Sequence, residues 1–311
     1  MTPLDHTIHF GVQAGLITDA AEWLELAIKA EELGFDALYV ADHLGVTASP
    51  FAALAAAAGV TTTIKLGTYV LNAGVRDPLE LASGAATVDV VSNGRMVLGV
   101  GAGHTPAEWT MSGRSYPSAA ARVGRLGEIV DVVTSLLDGE VTNFAGQYIT
   151  LTDALLLAPR PVQARLPMLV GGNGFELLRI GGRTSNIVSL TGLGRTLDDG
   201  HRHQADWSAA AVDQRVDAVR AAAAGRTTEV VFDALVQHVE ITDYREKAAA
   251  QFARTAPGLT TSDVLGSPYA HIGTLDEIVA TIHDNRARWG FTSYVVRADA
   301  IDDAAAILRH L

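Results

Sequence analysis

The residues best suited to chemistry in this 311-residue sequence stand directly after short apolar runs. Asp42-His43 follows Ala37–Ala41, and a carboxylate beside an imidazole can hold or move a proton, or orient a ligand. The same pair could equally form a polar cap on a strand end. His104 follows Gly99-Val100-Gly101-Ala102-Gly103. Its imidazole could hydrogen-bond or protonate a ring nitrogen, or serve structure alone. The glycine stretch is spaced G-x-G-x-G with Pro106 close behind, which departs from the dinucleotide fingerprint. A flat, side-chain-free wall against a planar ring is its better use. Gly171-Gly172-Asn173-Gly174 leads into a helix near Phe175. Glycines admit a ligand to the backbone and a helix N-terminus favours an anion, so a cofactor phosphate suits this turn. A tight turn that needs positive φ is the other reading. Asn72 and Thr191 close two further apolar runs in the same way.

Other spacings are set aside. His201-Arg202-His203 has the H-x-H form of a barrel metallohydrolase, but Asp198-Asp199-Gly200 beside it reads as solvated loop. His6 and His9 straddle the start of the first strand and are expected to be structural. There is no H-E-x-x-H, G-x-S-x-G or P-loop. Trp109, Tyr116 and Trp207 could line a pocket or pack beneath its rim. No metal site is expected.

The elements that must position these groups alternate regularly. Strands are expected at Ile8–Gln13, Ala37–Ala41, Lys65–Leu71, Arg95–Gly101, Met168–Gly171, Asn186–Leu190, Val230–Glu240 and Ser293–Arg297. Many are continuously apolar, as parallel strands covered on both faces are. Between them, Asp19 to Leu33 carries Trp23, Leu26, Ala27, Ala30 and Leu33 on one stripe, with Asp19 as N-cap and Gly34 as the stop. Asp77-Pro78 opens another helix, Ala119 to Leu137 is a third, and Asp276 to Trp289 ends at Gly290. Eight strands alternating with helices, and no linker-like composition, predict one (β/α)8 barrel domain over residues 1–311. Gly139 to Arg165 reads as a small hairpin insertion before strand five. In such a barrel the active site forms at the C-terminal strand ends, which is where the polar residues above fall.

Composition narrows the function. Twenty-three basic against 35 acidic residues give a net charge of −12, with no basic cluster, which argues against nucleic acid. Cysteine is absent, which excludes disulfides, thiolate metal sites and a cysteine nucleophile. Met1 to Phe10 is polar, without the apolar core of a signal peptide, and no run reaches membrane-spanning length. A soluble cytoplasmic protein is expected.

Several stretches together resemble the luciferase-like barrel family. They are Phe10-Gly11-Val12-Gln13, Glu31 to Asp36, Ala41-Asp42-His43, Leu66 to Asn72, Gly94-Arg95 with Leu98 to Gly103, Arg122 to Glu128, Gly171 to Gly174, Ile272-Gly273-Thr274 and Arg288-Trp289-Gly290. The resemblance covers nearly the whole chain and is strongest to the deazaflavin-dependent (coenzyme F420) oxidoreductases, with FMN monooxygenases as close rivals. It implies a non-proline cis peptide at Tyr69-Val70 that backs the cofactor ring. It places Asp42 and His43 beside the redox carbon, with His43 as acid or base and His104 at the ring. Asn72, Gly101, Ala102, Gly103, Gly171, Gly172, Asn173, Gly174 and Thr191 would bind the cofactor. The sugar-phosphate dehydrogenase branch has a glutamate where this chain has His104, and no lysine cluster is present, so sugar-phosphate oxidation is not expected. The implied function is hydride transfer between the deazaflavin and a small organic substrate, in a homodimer. An FMN-dependent monooxygenase and a non-catalytic cofactor-binding protein are the alternatives.

Overall fold

The computed structural model describes residues 7–194 and 203–311. Its eight principal strands are β1 (His9–Ala14), β2 (Ala37–Val40), β3 (Lys65–Thr68, resuming at Leu71–Asn72), β4 (Met96–Gly101), β5 (Met168–Gly172), β6 (Ile187–Leu190), β7 (Val231–Leu235) and β8 (Phe291–Arg297). Each pairs in parallel with its neighbour in chain order. Pairing of β1 with β8 closes the cylinder, so the (β/α)8 expectation holds. The hairpin expected before β5 is present as Thr142–Ala145 against Thr150–Ala154.

Alternation along the strands builds two cores. Phe10, Val12, Leu38 and Val40 face outward into the layer shared with the helices. Ala37, Tyr39, Tyr69, Val97, Leu169, Leu235 and Val295 fill the barrel interior. A Cβ on Gly11 or Gly67 would lie 2.8 or 2.6 Å from the Tyr39 ring, so these glycines let that ring lie across the interior. One polar group shares this space. Asp233 is buried and accepts from Tyr69 Oη at 2.7 Å and Ser293 Oγ at 2.6 Å. Burial raises its pKa, while the Ser293, Tyr69 and Ser189 hydroxyls pull the other way.

Local signals set the helices. Asp19 accepts from the Ala21 and Glu22 amides and starts Ala20–Glu32, which buries Trp23, Ala27 and Ala30. Asp77 caps Pro78–Val91 through the Leu79 amide. Ala119–Asp138 and Leu275–Trp289 end on Gly139 and Gly290, both left-handed. Among the described residues, no helix is long and apolar enough to cross a membrane.

Two strands differ from expectation. The run Lys65–Leu71 is not continuous: β3 breaks after Thr68, and the Tyr69-Val70 peptide is cis, at the positions the resemblance implied. The run Val230–Glu240 divides into β7 and a separate strand, His238–Ile241, which pairs with Ala270–Gly273 outside the barrel. Gln237 and His238 stand at the division, and the partner changes there. The Val236 amide bonds to Val295, and the next amide, Gln237, bonds to Tyr269.

Candidate active site

The C-terminal strand ends surround one cavity of about 870 Å³. Asp42 and His43 reach it from β2, and Tyr69, Val70 and Asn72 from β3. Gly101, Ala102, Gly103 and His104 follow β4, Gly171 to Gly174 follow β5, and Thr191 follows β6. Every residue singled out for the site therefore lines the same space. Of the three aromatics, Tyr116 lines the cavity. Trp109 is buried against the Tyr116 ring, and Trp207 is buried against Phe252 and Tyr269.

Asp42 and His43 are not a working pair, because their side chains take different partners. Asp42 accepts a two-pronged bond from Arg76 at 2.6 and 2.8 Å, and a third from the Asn72 amide at 3.0 Å. Its acceptor sites are thus largely filled by the protein. His43 Nδ1 lies 2.9 Å from Glu108 Oε1. Glu108 is buried and its second oxygen accepts from Asn72 Nδ2 at 2.5 Å. An ionised carboxylate can only accept, so His43 Nδ1 carries the proton and Nε2 is left with a lone pair. The Glu108 hydrogen bond raises the His43 pKa, against burial and the positive charge of Arg297, which lower it. This carboxylate–imidazole unit can take up or return a proton at a ligand in the cavity.

Asn72 lines the cavity with both side-chain polar groups bonded within the protein. Its Nδ2 serves Glu108, and its Oδ1 accepts the Gly74 amide at 2.9 Å. The glycines of β4 and β5 also have a different main task from the flat wall expected after β4. A Cβ on Gly99 would lie 2.0 Å from Thr68 O, one on Gly101 2.6 Å from Val70 Cγ2, and one on Gly171 2.9 Å from Val70 Cγ1. These glycines make room for the β3 bulge, which Val70 carries toward the cavity. Gly103 has φ +71° and a Cβ there would meet Asn72 Oδ1 at 2.1 Å.

His104 stands 5.8 Å, centroid to centroid, from His43 and 5.0 Å from His203. It lines the cavity and is exposed there. Burial, then the neighbouring His203 and His43, lowers its pKa to about 4, so it is neutral at pH 7. His203 was expected in a solvated loop and instead lines the cavity, whereas His201 and Arg202 lie outside the described residues. Among the described residues no cluster of ligand-type side chains could hold a metal ion. His9 pairs with Asp36 at 2.7 Å, in keeping with its structural reading, and His6 lies outside the described residues.

The β5 turn offers room and unmet hydrogen bonds. Gly172 takes φ +159°, while a Cβ on Gly174 would meet nothing within 4 Å. Both side-chain polar atoms of Asn173 are buried without a protein partner at the cavity wall. Gly174 caps Phe175–Thr184, whose first amides face the same end. A ligand with phosphate and polar ring edges fits these donors.

Sequence reasoning did not find Glu108, Arg76, Gln13 or Arg297. Glu108 lies in the first turn of Pro106–Met111, and Arg76 directly precedes the Asp77 cap. Both would have been visible only as charged residues close to an expected rim.

A parallel eight-stranded barrel thus carries on one rim a glycine-supported bulge, an imidazole held by a buried carboxylate, and an anion-ready turn. The chain belongs to the luciferase-like monooxygenase family, whose model matches residues 6–293. It is 33% identical over 183 residues to an F420-dependent glucose-6-phosphate dehydrogenase of Amycolatopsis mediterranei, 56% of this chain and 54% of the relative. The chain thus spans about half the length of the curated relatives it matches. Its fold is similar to the coenzyme F420 dependent tetrahydromethanopterin reductase from Methanopyrus kandleri, with a TM-score of 0.76, 20% identity and coverage of 98% and 97%. An F420-dependent secondary alcohol dehydrogenase in complex with an F420-acetone adduct gives a TM-score of 0.76 and 20% identity, with coverage of 98% and 99%.

Proposed function

We propose that the chain is an oxidoreductase that uses a deazaflavin, coenzyme F420, to move a hydride to or from a small organic substrate. The observation that carries the reading is His43 held by buried Glu108 on the same rim as the Val70 bulge and the Asn173-Gly174 turn. The names of the curated relatives support the choice of cofactor. When bound, the deazaflavin supplies two-electron hydride chemistry, and the protein supplies orientation and proton handling. Val70 and the Gly101-Ala102-Gly103 backbone would face the ring. The Gly171–Gly174 turn, with Asn173 and the helix N-terminus, would hold the phosphate end, and Thr191 would close the far wall. His43 Nε2 takes the substrate proton in oxidation or returns it in reduction. His104, whose pKa is lowered, would donate or accept a hydrogen bond at the ring.

None of the three lysines lines the cavity, and an imidazole replaces the expected glutamate, so we expect little turnover of glucose 6-phosphate. A homodimer in the cytoplasm completes the reading, and light scattering checks its mass. Titration with F420 and with FMN, followed by absorbance, tests the proposal. F420 should bind tighter, and His43→Ala should cut turnover roughly 10²-fold or more with F420 affinity kept. Tighter FMN binding with oxygen uptake would assign a monooxygenase instead. F420 binding without turnover across alcohols, aldehydes and ketones would leave a cofactor-binding protein.

A further inference from the structure

The cavity carries a cation that the proposed hydride chemistry does not use. Arg297 ends β8 and lines the cavity, and its charge reaches His43, whose pKa it lowers. Its guanidinium is held by two amides: Nη1 donates to Gln13 Oε1 at 3.2 Å, and Nη2 to Gln237 Oε1 at 3.1 Å. Both amides are themselves fixed. Gln13 Nε2 donates to Tyr69 O at 2.6 Å, and Gln237 Nε2 to Thr191 O at 2.7 Å. With their nitrogens tied to backbone carbonyls, the two glutamines can only turn oxygen toward Arg297.

This arrangement orients a guanidinium without cancelling its charge. A glutamate at either place would satisfy the same N–H groups and neutralise the arginine. Among the described residues no carboxylate pairs with Arg297, whereas Asp42 in the same cavity is paired with Arg76. Two of the five N–H groups are used, so three remain for a ligand. The other cavity arginines are occupied differently. Arg122 donates to Gly103 O and Pro117 O, and Arg215 to Asn173 O, Asp206 O and Ala211 O. Arg215 also lies at the β5 turn proposed above for the cofactor phosphate, and Arg122 is turned to backbone carbonyls and the Tyr116 ring, so Arg297 is taken as the substrate's arginine.

We propose that Arg297, set by Gln13 and Gln237, binds a carboxylate on the substrate and so selects organic acids. This deepens the proposed function and rests on it for the identity of the reaction. A guanidinium held by two neutral amides keeps its single positive charge, which matches a monoanion, and its planar fork matches a carboxylate. A dianionic phosphate would leave one charge unmatched.

The test uses the F420-loaded protein, titrated calorimetrically with benzoate, benzamide and phenyl phosphate. Benzoate should bind at least about tenfold tighter than benzamide, and Arg297→Gln should remove that preference while leaving F420 affinity within about twofold. Arg297→Lys should recover part of it. Equal binding of benzoate and benzamide to the native protein would overturn the proposal. So would tighter binding of phenyl phosphate than benzoate, or loss of F420 affinity in Arg297→Gln, which would give the arginine to the cofactor. If F420 does not bind the native protein, the functional reading fails separately, and the benzoate and benzamide titrations of the unloaded protein still decide the role of Arg297.

Discussion

Replacing Glu108 by glutamine exchanges one oxygen for nitrogen where the surroundings leave the new amide a single way to sit. The Gly74 amide donates to Asn72 Oδ1, which fixes Asn72 with Nδ2 toward residue 108. A glutamine must therefore keep its oxygen on Asn72 and turn its NH2 toward His43 Nδ1. That nitrogen must then accept, so the imidazole proton moves to Nε2, the nitrogen meant to receive a substrate proton. A neutral imidazole of this tautomer is no base toward the cavity. General-base catalysis contributes about 10²–10⁴ in rate, so kcat should fall at least about 10²-fold, roughly 2.7 kcal/mol of barrier. F420 affinity should change less than about twofold, because the substitution keeps the size of the side chain and its bond to Asn72. Nitrogen-15 NMR of the histidine rings gives a readout that needs no substrate. Native His43 should carry its proton on Nδ1, and the Glu108→Gln variant on Nε2 with a lower pKa. A variant whose His43 keeps Nδ1–H and titrates as in the native protein would refute the reasoning.

Further outcomes follow from the same contacts. His43 has a raised pKa from Glu108, so the pair adds stability in full below the ordinary value of 6.5 and loses it as pH rises through the folded value. The stability gap between native and Glu108→Gln, from urea unfolding, should therefore be widest near pH 5 to 6, taken below that ordinary value, and narrow toward alkaline pH. His104 has the opposite sign: its pKa is lowered to about 4, so the unfolded chain takes the proton first and stability falls as pH drops from 6.5 toward 4. His104→Asn should flatten that acid limb, and an unchanged limb would reject the assignment. Arg76→Leu strands the Asp42 carboxylate, whose side chain is 3% exposed, and should cost about 3–5 kcal/mol in urea unfolding. Gly101→Ala sets a Cβ 2.6 Å from Val70 Cγ2 and should cost about 1–3 kcal/mol. Val70→Ala in that background should restore most of the loss, and additive costs in the double variant would show that the two side chains do not collide.

Much of the frame was legible because its causes are local. The stripe on Ala20–Glu32, the Asp19 and Asp77 caps, and the stops at Gly139 and Gly290 each depend on residues within a turn or two. The rim was legible for a related reason, since a polar residue after an apolar run marks where a strand emerges. The break in β3 was legible only through the family resemblance, and the division after β7 was hidden, because β-forming residues resume at once after Gln237-His238 while the hydrogen-bond partner changes.

By itself the sequence determined which segments become strands and helices and which residues stand at their C-terminal ends, since periodicity and capping are short-range. Only closure of the barrel decided what those residues do. His43 meets Glu108 across 65 positions, and Arg297 meets Gln13 across 284. The glycines of β4 and β5 are explained by a valine on β3. Hydrogen bonds and van der Waals contacts act over a few ångströms, so partners distant in the chain acquire a role only once the cylinder brings their strand ends together.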